Sequence, residues 1–506
     1  MSYLRRCAAI AAAIAVGAVS SATANPVTVQ TESGGLSLTG EIVAFDGTYL
    51  SLGTEYGPIT VDVRGMTCDG ADCSRITDFV PTLRFSGAAR LTGYLYPALV
   101  EGYARSKGFV AERTDTADGE FSYLLTPNSG AGVLFEFSVS DSTDGFADLA
   151  AGTADIALSQ RRARPDETAG RLRIIALDAL TAAVTAGHEL RSISVQDLAG
   201  ILSGEVSDWS EMGLAPGAIE VILGAQDGAY SEELAALVLG PTGRRLSDGI
   251  RTYPTQTAVA EAVSANPAAI TVLPIGALGN TRSLLLAEQC GVRLIPRIHS
   301  VKAEDYPLTF PLYYYIAPRR LPAHGLDFLA WLNTAEAQLV IRRAGLVDLG
   351  GVPVPLELQG ERFAAAIALA GDDVGLAELQ RLVRFATARS RLSSTFRFEP
   401  GSSNLDAPSQ SHLYSVSAAI RSGRYDGRQL TLVGFSDAEG STSANRDLSR
   451  ARAEAVRDAI LADLRTDLPE GVLLDVESFG EALPMGCDDT EWGRQINRRV
   501  ELWVSE

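Results

Sequence analysis

Asp437 and Arg452 are the two residues whose types and spacing most directly suggest recognition chemistry. Asp437 follows the apolar run QLTLVGF (429–435), which reads as a strand, and a side chain at a strand end can face a ligand. Arg452 comes fifteen residues later in a helical stretch, four after Leu448 and four before Val456, beside an apolar stripe with Ala455 and Ala459. A partly buried arginine requires an anion, so the two side chains have reason to meet. Side by side, they either form a structural salt bridge or receive a group that carries an ammonium and a carboxylate on one carbon.

Other chemistry is scarce. The sequence has no G-x-S-x-G elbow, no G-x-x-x-x-G-K-[ST] loop and no H-E-x-x-H helix, so no enzymatic activity is expected. The four histidines, His188, His299, His324 and His412, are scattered and no CxxC pair exists, so neither a metal site nor a cofactor is expected. Asp488 and Asp489 read as solvated loop carboxylates. The net charge of -19 leaves no excess of Lys and Arg to neutralise phosphates, which excludes nucleic acid as a partner.

The elements that must position these residues begin with an export segment. Arg5 and Arg6 precede the apolar run Cys7 to Val19, and Ala22-Thr23-Ala24 supplies the small residues of a cleavage site, so residues 1–24 read as a signal peptide. Export places four cysteines in an oxidising compartment. Cys68 and Cys73 are close enough to close a small loop around Gly70, and a disulfide is expected there; Cys290 and Cys487 are expected as two buried free thiols. With 506 residues, 46% hydrophobic and 21% charged, the chain should fold as about three domains with little disorder.

Residues from about Leu36 to Val63 alternate apolar and polar positions around turns at Asp46-Gly47 and Tyr56-Gly57-Pro58, which predicts a small all-β module of three or more strands over residues 26–76. From residue 80 to 350 apolar strands alternate with helices, the pattern of a parallel sheet covered on both faces. Residues 351–392 read as a helical linker without chemistry. Residues 393–506 run strand, helix, strand, helix, strand and a final strand, predicting an α+β sandwich with a mixed sheet and helices on one face.

Four stretches of the middle region resemble the phosphate-type periplasmic binding proteins of ABC importers: SDSTDGFADLAAGTADIALSQR (140–161), LAGILSGEVSDWSEMG (198–213), YPLTFPLYYYI (306–316) and FLAWLNTAEAQLVIRRAGLVDL (328–349). The resemblance implies two α/β lobes around a cleft, the second lobe spanning roughly residues 178 to 270. It implies anion donors at Ser142, Thr143, Gly145, Ser159 and Arg161, with Arg90 and Thr92 standing in for hydroxyls missing near Ala88. Asp227, Gly228 and Ala229 stand where relatives carry Ser-Gly-Thr, and a carboxylate there would repel a dianion. Phosphate, another small ligand, and a cleft kept only as a scaffold all remain open. For Arg90 and Arg161 the alternative is a surface or interlobe salt bridge.

GFSDAEGSTSANRDLSRARAEAVRDAI (434–460) and GRQINRRVEL (493–502) resemble the OmpA C-terminal family. By that resemblance Asp437 and Arg452 hold diaminopimelate of the peptidoglycan stem peptide, with Asn445, a possible helix cap, and Arg498, a pocket wall, as secondary candidates. Together the resemblances imply a non-enzymatic periplasmic protein of a Gram-negative envelope, attached non-covalently to the wall, with outer-membrane association an option. Its role would be a wall-anchored solute or signal receptor or a tether, with an importer or a signalling protein as candidate partners; the alternative is the phosphate-binding component of an importer.

Overall fold

The computed structural model describes residues 25–128, 132–167, 170–225, 230–370, 374–399, 402, 404–465 and 468–505. The expected signal peptide and the cleft residues Asp227, Gly228 and Ala229 lie outside them. Among the described residues no helix is long and apolar enough to cross a membrane.

Residues up to Pro81 form one unit and Thr82 onward another. The first is a five-stranded antiparallel sheet in the order Gly57–Asp62, Tyr49–Thr54, Ser37–Phe45, Val27–Thr31, Met66–Asp69. Val27, Val29, Ile42, Leu50 and Leu52 alternate onto one face and bury together. Cys68 on the last strand is disulfide-bonded to Cys73, with Cα atoms 5.8 Å apart. Gly70 between them has φ 140°, and a Cβ there would lie 3.0 Å from the Pro26 carbonyl oxygen.

The second unit begins with a curled eleven-stranded sheet. Its first lobe centres on Thr82–Ala88, paired in parallel with Val133–Ser140 and Ile156–Ser159. Helices Tyr96–Lys107 and Ser142–Ala151 pack on it. Two antiparallel strands, Arg171–Thr185 and Thr309–Ile316, carry the chain into the second lobe and back. The second lobe therefore closes at Thr309 and not near residue 270. Its sheet continues through Ala269–Pro274, Glu220–Gly224 and Arg251–Tyr253.

The C-terminal sheet has the order Pro353–Val354, Arg389–Phe396, Val500–Ser505, Gln429–Phe435, Leu473–Gly480, with only the last pair parallel. Helices Ala407–Arg421 and Thr442–Leu464 cover one face, over Leu430, Leu432, Val500 and Leu502. The other face, Val433, Phe435, Phe479 and Trp503, is just as apolar, and helices Gly360–Leu369 and Leu376–Thr387 cover it. The stretch read as a linker thus packs on the sheet and adds a strand to its edge, because this second face must also leave water.

The domain of the eleven-stranded sheet and the C-terminal sheet are joined by buried ion pairs. Arg391 and Arg397 of the strand and its extension reach Asp305, the former with Nη1 at 2.6 Å from Oδ2. Cys290 and Cys487, expected as free thiols, are disulfide-bonded with Cα atoms 5.8 Å apart. That expectation assumed that the two domains stay apart; their buried ion pairs hold them together.

Candidate functional site

Several of the donors expected in the cleft, Arg90 and Arg161 among them, are engaged by carboxylates of the chain itself. The Asp141 carboxylate caps helix Ser142–Ala151, accepting from the N–H groups of Thr143 (2.7 Å) and Asp144 (2.9 Å), the donors a bound anion would use. Arg161 grips Glu167 with both terminal nitrogens, at 2.7 and 2.6 Å, and donates to the Thr143 hydroxyl at 3.0 Å. This guanidinium holds the Glu167 carboxyl down to about 2. Arg90 donates to the buried Asp178 at 2.5 Å and lies over the Tyr230 ring, 4.6 Å from its centroid. Tyr230 donates to the same carboxylate at 3.3 Å.

Two of the hydroxyls donate to backbone carbonyls of the chain, while the Ser142 and Thr143 hydroxyls act as acceptors. Thr92 donates to the Gly87 carbonyl (2.9 Å), Ser159 to the Arg161 carbonyl (2.7 Å), and Ser142 accepts from the Gln160 N–H (3.2 Å). Gly145 is required by packing, since a Cβ there would stand 2.9 Å from the Gly87 Cα. Gln160 reaches Glu233 at 3.2 Å, whose carboxyl burial pushes up to about 7. The sequence reading named Arg90, Thr143 and Arg161 but not the carboxylates that engage them, Asp178, Asp141 and Glu167, nor Glu233, which engages Gln160. Asp178 alone carried a signal, as a charge inside the apolar run LRIIALDALTAAV.

The second site is at the C-terminal end of strand Gln429–Phe435. Gly434 lets helix Thr442–Leu464 rest on this strand, since a Cβ there would meet the Ser449 carbonyl oxygen. Arg452, three residues beyond Ser449, is thereby brought beside Asp437. Asp437 is 7% exposed and accepts from Arg498 Nη1 at 2.8 Å. The direct ion pair is thus with Arg498, which also reaches Glu491 at 3.2 Å. Arg452 keeps a buried Nη1 without a hydrogen-bond partner among the described residues. Burial lowers the affinity of its guanidinium for the proton, Asp437 raises it, and Arg498 lowers it again.

Asn445 does not cap the helix. Ser441 does, accepting from the Ala444 N–H at 3.3 Å, while Asn445 lies inside the first turns and donates to Glu481 at 2.5 Å. The sequence reading gave Asp488 no role, while Asn497 belongs to the motif GRQINRRVEL. Asp488, taken as solvated, accepts from the Ala438 N–H at 3.0 Å and from Asn497 at 2.8 Å. Asn497 accepts from the N–H groups of Met485 (2.6 Å) and Gly486 (3.1 Å).

Residues 397–498 match the OmpA family and residues 123–336 match the PBP superfamily domain. The chain carries a PBP-like domain and a C-terminal OmpA domain. Outer membrane porin F of Pseudomonas aeruginosa is 36% identical over 81 residues, covering 16% of this chain and 22% of the porin. The probable lipoprotein YiaD of Escherichia coli K12 is 26% identical over 108 residues, covering 21% of this chain and 47% of YiaD. The chain thus spans 22% and 47% of the lengths of these curated relatives. Among solved structures, an ABC-type phosphate transport receptor from Vibrio cholerae matches 52% of this chain and 99% of its own, with 18% identity and a TM-score of 0.42. The OmpA domain contains Asp437, Asn445, Arg452 and Arg498; the PBP-like match contains the cleft residues from Ser142 to Arg161.

Proposed function

We propose that this protein is a non-enzymatic periplasmic tether that grips the peptidoglycan stem peptide with its OmpA domain, while its PBP-like domain serves as a rigid body and not as a phosphate receptor. The observation that carries the reading is the contrast between the two sites. In the OmpA domain a buried guanidinium nitrogen of Arg452 has no hydrogen-bond partner among the described residues beside Asp437, whose direct ion pair is with Arg498. In the cleft, Arg90 and Arg161 also keep a buried nitrogen without a hydrogen-bond partner among the described residues, but each already holds one of the chain's own carboxylates. The ammonium of diaminopimelate fits Asp437 and its carboxylate fits Arg452. A phosphate dianion in the cleft would have to displace Glu167 and Asp178 from their arginines and lie near Glu233.

Co-sedimentation with isolated sacculi tests the tether: the full chain should pellet with the wall and be released by soluble diaminopimelate stem peptide. Protein left in the supernatant would refute it. Calorimetric titration with millimolar phosphate tests the other half. No heat and no thermal shift are expected, and stoichiometric binding would restore the importer reading.

A further inference from the structure

One wall of the OmpA pocket is the loop from Glu481 to Thr490, between strand Leu473–Gly480 and helix Glu491–Asn497. It touches the elements of the pocket at two points, Glu481 and Asp488. Glu481 holds Thr442 (3.1 Å) and Asn445 (2.5 Å) at the start of the helix that carries Arg452. Asp488 holds the Ala438 N–H, the peptide group next to Asp437. Between these anchors the backbone is irregular, and Asn497 supplies side-chain partners for Met485 and Gly486.

Cys487, adjacent to Asp488, is the residue through which this loop meets the PBP-like domain. It is disulfide-bonded to Cys290, and its N–H donates to Glu288 Oε2 at 2.6 Å. Glu288 and Cys290 form the tip of a hairpin whose antiparallel strands are Leu285–Ala287 and Arg293–Leu294. The tip is closed by the Gly291 N–H on the Glu288 carbonyl and the Glu288 N–H on the Val292 carbonyl, both at 2.9 Å. The hairpin is in turn paired to Ser192–Ile193 of the second lobe. A covalent bond and a hydrogen bond at one residue thus hold the loop to a braced support.

We infer that the Glu288–Cys290 hairpin tip of the PBP-like domain positions the loop that walls the Asp437–Arg452 pocket, so that affinity for the stem peptide is set across the domain boundary. The inference rests on the peptidoglycan reading. Cys290 and Glu288 are positioning residues: they touch the loop and not the peptide. Asp488 transmits the constraint, because it is chain-adjacent to Cys487 and bonded to the peptide group beside Asp437. Burial raises the Glu288 carboxyl to about 7, but either protonation state keeps an oxygen able to accept from the Cys487 N–H.

The test uses the full chain and a soluble disaccharide tetrapeptide containing diaminopimelate, titrated by calorimetry. Cys290→Ser/Cys487→Ser and Glu288→Ala should each bind about tenfold more weakly, since small displacements of a positioned group cost this much or more. Glu288→Gln should bind like the wild type, because its amide oxygen still accepts from the Cys487 N–H, and Cys68→Ser/Cys73→Ser should be unchanged. Hydrogen exchange should speed up at Ala438, Met485 and Gly486 in the two weakened variants, a readout that loss of bulk stability alone would not confine to these amides. Glu288→Ala binding as tightly as Glu288→Gln would overturn the positioning role while leaving the pocket intact. A wild type that binds no tetrapeptide would instead overturn the peptidoglycan reading on which it rests.

Discussion

Arg452→Ala is expected to abolish capture by sacculi while leaving the thermal unfolding of the protein close to wild type. The separation of the two effects follows from the state of the side chain. Its Nη1 is buried without a hydrogen-bond partner among the described residues, so the folded protein bears a desolvation cost at this position and gains little in return. A bound carboxylate would supply the partner. Truncating one member of a desolvated charge pair typically costs about 2–5 kcal/mol of binding, at least about a thirtyfold loss. Arg452→Lys should recover little of it, because an ammonium cannot present two parallel donors to a carboxylate. A sedimentation assay and a melting curve on each variant check the claim; retained capture by Arg452→Ala would contradict it.

Glu501→Ala is expected to have the opposite profile, a large loss of stability throughout the C-terminal sheet. Glu501 lies on the second face of the sheet beside Trp503, whose indole N–H donates to it at 3.1 Å. Three guanidiniums surround it: Arg362 at 2.5 Å, Arg499 at 2.7 Å and Arg391 at 3.2 Å. Arg391 and Arg499 are themselves almost fully buried. Removing the shared anion leaves several cations out of water without compensation, for which about 3–5 kcal/mol is typical of a single broken buried pair. Urea unfolding should show that decrease.

The pH dependence follows from the same cluster. Burial alone would raise the Glu501 carboxyl, but Arg362, Arg391 and Arg499 outweigh it and hold the group well below the usual carboxylate range. Its unfolded value is about 4.3. A depressed carboxylate contributes stability that is present above the unfolded value and is lost as pH falls from there through the folded one. Stability should therefore decline on acidification in the wild type, and Glu501→Gln should show a shallower decline from a lower starting point. Parallel acid profiles would show that Glu501 is not the group responsible.

Much of the C-terminal pocket was legible because its residues follow a local grammar. Asp437 follows a strand, Arg452 lies on a helix face, and the Gly434 that seats the helix is the penultimate residue of strand Gln429–Phe435. What the sequence could not convey were pairings across long separations. Cys290 and Cys487 read as separate thiols because nothing local says that a hairpin of one domain meets a loop of another. Glu501 occupies an alternating position in RRVELWV, where a charge ordinarily faces solvent. Here the helices at 360–387 cover that face, and an interior carboxylate gathers arginines from three separate segments. In the cleft, the salt-bridge alternative for Arg90 and Arg161 was legible but their partners were not. The donors were recognisable, but Asp178 and Glu233 come from the crossover strand and the second lobe, and only the folded sheet brings them to Arg90 and Gln160.

The chemistry assigned to Asp437 and Arg452 is tested most directly by titrating the full chain with two stem peptides that differ at one residue, diaminopimelate in one and lysine in the other. Both carry the side-chain ammonium; only diaminopimelate adds the carboxylate on the same carbon. The account predicts saturable binding of the diaminopimelate peptide and loss of most of that affinity with the lysine peptide. It also predicts that the difference between the two peptides vanishes in Arg452→Ala. Equal affinity of the wild type for the two peptides would contradict it.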